Sequence, residues 1–356
     1  MRITLLLILL FLASVFRTSA QSRNSHDTSY VQSYNDRIVV GLFQSYRELQ
    51  YNLQETMVGD TSYPSNAVFV APSRHATGIS FSYDKISVSL AATTPATELE
   101  KKRFGATNFF SLGLSITSGK HRIESFYRKI SGFYDKNTEL RSDAKWSPTD
   151  SIYFQRPNMT TWVVKVRGFR FFNQKKFSYG SAYVNNYRQI KSAGSFFLMG
   201  DLYYNEIRTS DFYLHRKLTP MWKQYGDLNF MNFYGASAGF GYSFNLVLWR
   251  TLYVNLLADL GMNLQHREFK TLGHTVGKSD WKFGLAQSDL RGAMGINGRS
   301  FFWSVSIQYD NTVYKWADFK LNSLQVSTFA NIGYRFKVKD RKWNTWLRNN
   351  KIYQFF

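Results

Sequence analysis

Between Tyr234 and Leu248 the chain alternates without a break. Tyr234, Ala236, Ala238, Phe240, Tyr242, Phe244, Leu246 and Leu248 share one parity, and Gly235, Ser237, Gly239, Gly241, Ser243 and Asn245 share the other. Side chains of a strand point alternately to its two faces, whereas a helix repeats every 3.6 residues. The uncharged run from Leu228 to Trp249 is long enough for a membrane helix, but its period of two makes it a strand. Leu252, Val254, Leu256, Ala258, Leu260, Met262 and Leu264 repeat the pattern opposite Tyr253, Asn255, Asp259, Gly261, Asn263 and Gln265, with Leu257 the one intruder. Only Arg250 and Thr251 separate the two runs, which predicts a tight hairpin. Both strands exceed the usual length in soluble sheets and suit a tilted membrane crossing.

The same reading predicts strands at 37–54, 76–84, 85–93, 105–117, 120–133, 160–173, 179–190, 193–208, 233–248, 251–266, 286–298, 300–314 and 322–337, thirteen in all. Their second faces are dominated by Gly, Ser, Asn and Gln rather than by the Lys, Glu and Thr of a soluble sheet. That suits a lumen behind an apolar wall that meets lipid, with Trp162, Tyr242, Trp249, Trp303, Tyr309 and Tyr334 as interfacial girdles. The predicted fold class is all-β, a transmembrane antiparallel up-and-down β-barrel. Bacterial single-chain barrels have even strand numbers, so one candidate is spurious or one is missed. Twelve strands are expected, with fourteen the next count. The weak candidates are 37–54, where Arg47 and Glu48 interrupt alternation, and 120–133, which is rich in charge; 66–71 is a candidate addition. The long connections 134–159, 209–232 and 267–285 are expected outside the cell, because periplasmic turns are short.

The start of the chain reads as an address. Arg2 precedes the apolar run Ile3 to Phe16, and Thr18-Ser19-Ala20 offers a cleavage site, so residues 1–20 are expected to be a signal peptide. Residues 21–36 then form an N-terminal periplasmic segment, 37–337 the barrel, and 338–356 a basic, aromatic periplasmic tail. That tail carries Lys339, Arg341, Lys342, Arg348 and Lys351 among Trp343, Trp346 and Tyr353. An interfacial anchor and a free tail both fit it. The absence of cysteine excludes disulfides, thiolate metal sites and cysteine catalysis, and fits the outer membrane of a Gram-negative bacterium better than a disulfide-stapled eukaryotic exterior. Mean hydropathy is −0.33, low for a helical membrane protein and ordinary for a barrel.

The 356 residues carry 45 Lys and Arg against 24 Asp and Glu, a net charge of +21. Loop cations can bind lipopolysaccharide phosphates, so outer-membrane lipid and lipopolysaccharide are the expected partners, with the barrel assembly machinery during insertion. Nucleic acid is not expected for an exported membrane protein. A polar, partly cationic lumen is expected from Lys165, Arg167, Asn255, Asp259, Asn263, Gln265, Arg291, Gln325, Asn331 and Arg335. On this reading Leu256→Arg, on the lipid face, is costly and Asn255→Arg, on the lumen face, is cheap. No phosphate-binding glycine loop or His pair at metal spacing occurs, and no catalytic residue or cofactor is expected. His266, Asp259 and Ser243 are the one group that could make a hydrolase, because triads are assembled in space. Three functions therefore stand. The first is a pore, binding or structural barrel of the envelope; the alternatives are a lipid-modifying hydrolase and an assembly partner of other envelope proteins.

Residues 172–199 read FFNQKKFSYGSAYVNNYRQIKSAGSFFL. Phe172-Asn173, Lys176-Phe177-Ser178, Gln189, Lys191-Ser192-Ala193-Gly194-Ser195 and Gly132-Phe133-Tyr134 are the specific pieces. With Asp27-Thr28-Ser29-Tyr30, Asp36 and Gly333-Tyr334-Arg335-Phe336, the chain resembles the Bacteroidota domain-of-unknown-function family 4421 from about Asp27 to Phe336. The resemblance implies an outer-membrane β-barrel of unassigned activity and brings no catalytic residues. Residues 141–159 depart from it, with Arg141-Ser142-Asp143 nearest to the family's Arg-Pro-Asp-like segment.

Overall fold

The computed structural model describes residues 26–55, 66–72, 75–139, 152–215, 222, 225–272, 277–316 and 319–338. The expected signal peptide, the tail beyond Val338 and the centre of the 134–159 connection lie outside them. In chain order the elements are β1 (Val31–Ser33), β2 (Arg37–Glu55), β3 (Asn66–Val70), β4 (His75–Tyr83), β5 (Ile86–Thr93), α1 (Glu98–Phe104), β6 (Asn108–Thr117), β7 (His121–Glu139) and β8 (Tyr153–Phe171). There follow α2 (Gly180–Tyr183), β9 (Tyr187–Gln189), β10 (Ala193–Arg208), β11 (Leu228–Leu248), β12 (Leu252–Thr271), β13 (Gly277–Asn297), β14 (Phe301–Lys315) and β15 (Phe319–Lys337).

A membrane strand must pair on both sides, because lipid offers its amides no hydrogen bonds. The chain meets that demand by closing on itself. β15 pairs antiparallel with β2 along its whole length, from Lys337 opposite Arg37 to Phe319 opposite Glu55. Each remaining wall strand pairs with its neighbours, and the ring is β2, β4, β5, β6, β7, β8 and β10 through β15, twelve strands. Both ends of the wall therefore emerge at one rim, the terminal rim. The described ends of the connections 134–159, 209–232 and 267–285 lie at the opposite, far rim, where the flanking strands continue further than expected.

The superfluous candidate was 179–190, which holds α2 and β9 and is no part of the wall. The doubted runs 37–54 and 120–133 are the full wall strands β2 and β7. Residues 66–70 form β3, which joins β2 to β7 only near the far rim, above the short β4, β5 and β6. The wall is thus two strands narrower there. β7 changes neighbour at Gly132, where the register slips between Ser131 and Phe133. Gly132 has φ +88°, and a Cβ on it would lie 2.0 Å from the Ala106 carbonyl oxygen. The bulge also turns Phe133 inward and leaves Tyr134 outside, where Phe104 of α1 covers it at 4.9 Å between ring centroids.

Alternation in the sequence becomes inside and outside in the wall. Leu42, Ile79, Phe240, Leu256, Leu260, Phe283 and Leu290 are all more than half exposed on the outer face. Water would not tolerate so continuous an apolar belt, which is the lipid-facing band of a transmembrane barrel. Tyr242, Trp249, Trp303, Tyr309 and Tyr334 are exposed with it. The β11–β12 turn rests on Trp249 and Arg250, both at positive φ, one residue earlier than the sequence indicates. Among the described residues no helix is long and apolar enough to cross a membrane.

Leu256→Arg is expected to cost about 2–4 kcal/mol, measured by urea unfolding in lipid vesicles. A near-zero cost would remove that face from the bilayer. Gly132→Ala is expected to lose about 1–3 kcal/mol in the same measurement, because it strains both φ and the Ala106 contact; unchanged stability would show that the bulge relaxes freely.

Candidate functional site

The lumen is filled in three layers. The first, at the terminal rim, is the segment between β8 and β10, residues 172–192, which folds into the barrel instead of turning outside it. α2 has four residues, too few to satisfy its own carbonyls. Side chains from the wall do so. Asn245 Nδ2 donates to Ser178 O at 3.0 Å, Asn297 Nδ2 to Ser181 O at 2.8 Å, and Tyr253 Oη to Ala182 O at 3.0 Å. Arg335 donates Nε to Asn185 O at 2.7 Å and Nη2 to Asn297 Oδ1 at 2.6 Å. Its guanidinium also packs over Tyr34 and Phe302, at 4.4 and 4.9 Å from their ring centroids. Within the plug Gln189 accepts from Ser178 N at 3.0 Å and donates to the carbonyls of Lys176 and Lys191. β1 pairs with β9, so the N-terminal segment lies across the plug.

The second layer is a buried ion network. Arg167 grips Asp201 with two nitrogens, at 2.6 and 2.7 Å, and also pairs with Asp289. Arg291 holds Asp289 at 2.9 Å and Glu124 at 3.0 Å, and Arg122 holds Glu124 at 2.6 Å. Lys165 bridges Asp310 at 3.2 Å and Asp201 at 3.4 Å. Tyr179 of the plug donates to Glu124 at 2.8 Å and accepts from Arg291 at 2.6 Å, which ties the first layer to the second. Asp259 accepts only the Asp289 amide, at 3.3 Å, and its Oδ2 has no partner among the described residues. Leu257, the apolar intruder, packs with Phe169, Phe197 and Met199 beside this network.

The third layer closes the far rim with an apolar core that includes Tyr51, Phe69, Phe133, Tyr213, Trp222, Phe233, Trp316 and Phe319. Phe233 and Tyr314 stack at 3.8 Å, and Trp316 and Phe319 at 4.6 Å. Between the layers, along β2, β4–β6, β14 and β15, a cavity of about 300 Å³ remains. Serines 80, 82, 87, 89, 111 and 115 line it, with Arg47, Arg128, Lys165 and Arg167.

The ten residues picked from the sequence face the lumen but do not make one site. Lys165, Arg167, Asp259 and Arg291 belong to the ion network. Gln325 and Asn331 line the cavity. Asn263 and Gln265 meet Tyr203 Oη at 3.1 and 3.3 Å nearer the far rim. Asn255 and Arg335 line no open channel, because they hold the plug; Asn255 accepts from Tyr183 Oη at 2.6 Å and is fully buried. Asn255→Arg is therefore not the cheap change expected, since its side chain would displace α2. His266 lies on the outer face, stacked on Tyr234 and 2.8 Å from Ser279 Oγ, while Asp259 and Ser243 are buried in the lumen. The three do not meet. His266 Nδ1 has no partner, so Ser279 and His266 form a pair and not a triad among the described residues. His274 lies outside them, and within them no group of His, Asp and Glu could hold a metal.

Arg47, Arg122, Glu124, Arg128, Asp201 and Asp289 were passed over. The available signal was charge on the lumen parity of a strand. In 37–54 and 120–133 that charge counted against the strand instead of for the lumen.

These features define a transmembrane β-barrel with a plugged and buttressed interior. The chain belongs to the family described as "Domain of unknown function (DUF4421)", whose profile matches residues 25–336. No curated protein matches it. Among solved structures it is similar to the outer membrane protease OmpT from Escherichia coli, at 5% identity and TM-score 0.34, covering 89% of this chain and 100% of that one. It is also similar to the translocator domain of the autotransporter NalP from Neisseria meningitidis, at 10% identity and TM-score 0.35, covering 87% and 90%. OmpT, an outer membrane protein of Vibrio cholerae, matches at 9% identity and TM-score 0.29, covering 83% and 97%. Likenesses this distant assign no activity.

Arg167→Met would take the closest cation from two buried carboxylates, leaving Asp201 only Lys165 and Asp289 only Arg291, and is expected to cost about 3–5 kcal/mol in unfolding experiments. Adding Asp201→Asn should recover part of the loss, because the two side chains act as one unit. Strict additivity would deny the network its coupling.

Proposed function

We propose that this protein is a sealed binding barrel of the outer membrane of a Gram-negative bacterium, and not a passive pore. The family resemblance points to the Bacteroidota. One observation carries the reading: residues 172–192 sit inside the barrel, with their carbonyls bound by Asn245, Tyr253, Asn297 and Arg335 on four wall strands. A pore has water at these positions, whereas here wall side chains serve the plug. In the same reading residues 1–20 direct export and are removed. Basic rim residues meet lipopolysaccharide phosphates, and the barrel assembly machinery inserts the chain.

The test is conductance in planar bilayers. The purified wild type is expected to give no steady channel current. Arg335→Ala combined with Asn297→Ala is expected to open transient current, because both substitutions release the plug from the wall. Steady current from the wild type would overturn the sealed reading.

A further inference from the structure

The ion network accounts for every cation lining the cavity except two. Arg122, Lys165, Arg167 and Arg291 each have a carboxylate partner, and the cavity's own acids, Glu124 and Asp310, are held by them. Arg47 and Arg128 have none among the described residues. They share one recess with Gln325, which accepts from Arg128 Nη1 at 2.6 Å. Arg47 Nε and Nη1 and Arg128 Nε are buried and donate to nothing. The guanidinium carbon of Arg47 lies 4.4 Å from the Phe109 ring centroid and 5.2 Å from that of Phe329, and the guanidinium carbon of Arg128 lies 4.8 Å from the Phe126 centroid. The buried nitrogens that donate to nothing belong to the N–H edges with which a guanidinium grips oxyanions in pairs.

Asp310 acts on Arg128 across the cavity but is bound by Lys165, so two like charges share the recess with no carboxylate in contact, which is costly, and a bound anion offsets that cost. The cavity supplies further partners. Ser111 lies directly opposite Arg128 in the β6–β7 register, and serines 80 and 89 line the cavity further toward the terminal rim together with Asn331, whose Oδ1 is buried and unpaired. Hydroxyl and amide groups of that kind complement a hydroxylated ligand. A volume of about 300 Å³ is at the small end for ligand sites.

We propose that the cavity binds a small hydroxylated phosphate dianion, of the sugar-phosphate class, with the phosphate between Arg47 and Arg128 and the hydroxyls along the serine wall. This deepens the sealed-barrel reading and rests on it, because only a retained cavity can enclose a ligand.

The full-length protein is refolded from denaturant into detergent with glucose 6-phosphate, inorganic phosphate or glucose present, so that an enclosed site can fill. Retained ligand and thermal stability are then measured. Glucose 6-phosphate is expected to be retained and to raise the melting temperature, phosphate to act more weakly, and glucose not at all. Arg47→Met and Arg128→Met should each weaken binding at least about tenfold. Without ligand these variants should be as stable as the wild type or more so, because each removes an unpaired buried charge. Arg170→Ala, at an exposed wall position, should bind normally. Failure of the wild type to retain either phosphate probe, or equal retention by both Met variants, overturns the proposal. A wild type that is silent in bilayers yet binds nothing keeps the sealed reading and loses this one. A wild type that conducts yet binds through the two arginines does the reverse.

Discussion

A strand in hydrocarbon cannot keep a free edge, and the rest of this structure follows from that constraint. The pairing of β15 with β2 satisfies the last open edge and brings Arg37 opposite Lys337. Closure makes the inner face a private space. Its diameter at twelve strands exceeds what the wall's own side chains can fill, so extra chain or water must occupy it. Here the chain supplies the filling, with a plug from between β8 and β10 at one rim and aromatic side chains at the other.

The polar interior is expensive to build. Arg167, Arg291, Asp201 and Asp289 are almost wholly shielded from solvent, and Glu124 largely so. Each carboxylate is shared by two cations, and little water is at hand to replace either, so the network resists rearrangement more than it adds net stability. Tyr179 extends it into the plug, which makes plug and wall one electrostatic unit.

The wall was largely legible in the sequence, because lipid enforces a strict period of two on the outer face and any violation there is costly. Leu256 and Leu260 against Asn255 and Asp259 state inside and outside directly. The interior was less legible, because its rules are spatial. Residues 179–190 mimic a strand because a helix of one turn is too short to display its own period. The side chains that hold it, Asn245, Asn297 and Arg335, are distant in sequence. Arg47 and Arg128 interrupt hydrophobic patterning, so they argued against strands whose lumen faces they in fact occupy. The hydrolase grouping of His266, Asp259 and Ser243 failed on parity alone: His266 and Asp259 are an even and an odd residue of β12, and Ser243 pairs with the odd Leu257, so His266 points to the opposite side from the other two.

The plug also imposes an order of events. It is synthesised after β8, yet its hydrogen-bonding partners lie on β11, β12, β13 and β15, and β9 must meet β1 from the start of the described chain. The wall-to-plug hydrogen bonds join residues 67 to 150 positions apart, the kind of non-local pairing that slows folding. The plug's carbonyls therefore stay hydrated until the last strands arrive. Ring closure and the last plug contact, Arg335 to Asn185, both arrive with β15, so a chain cut short before it would lose the two together.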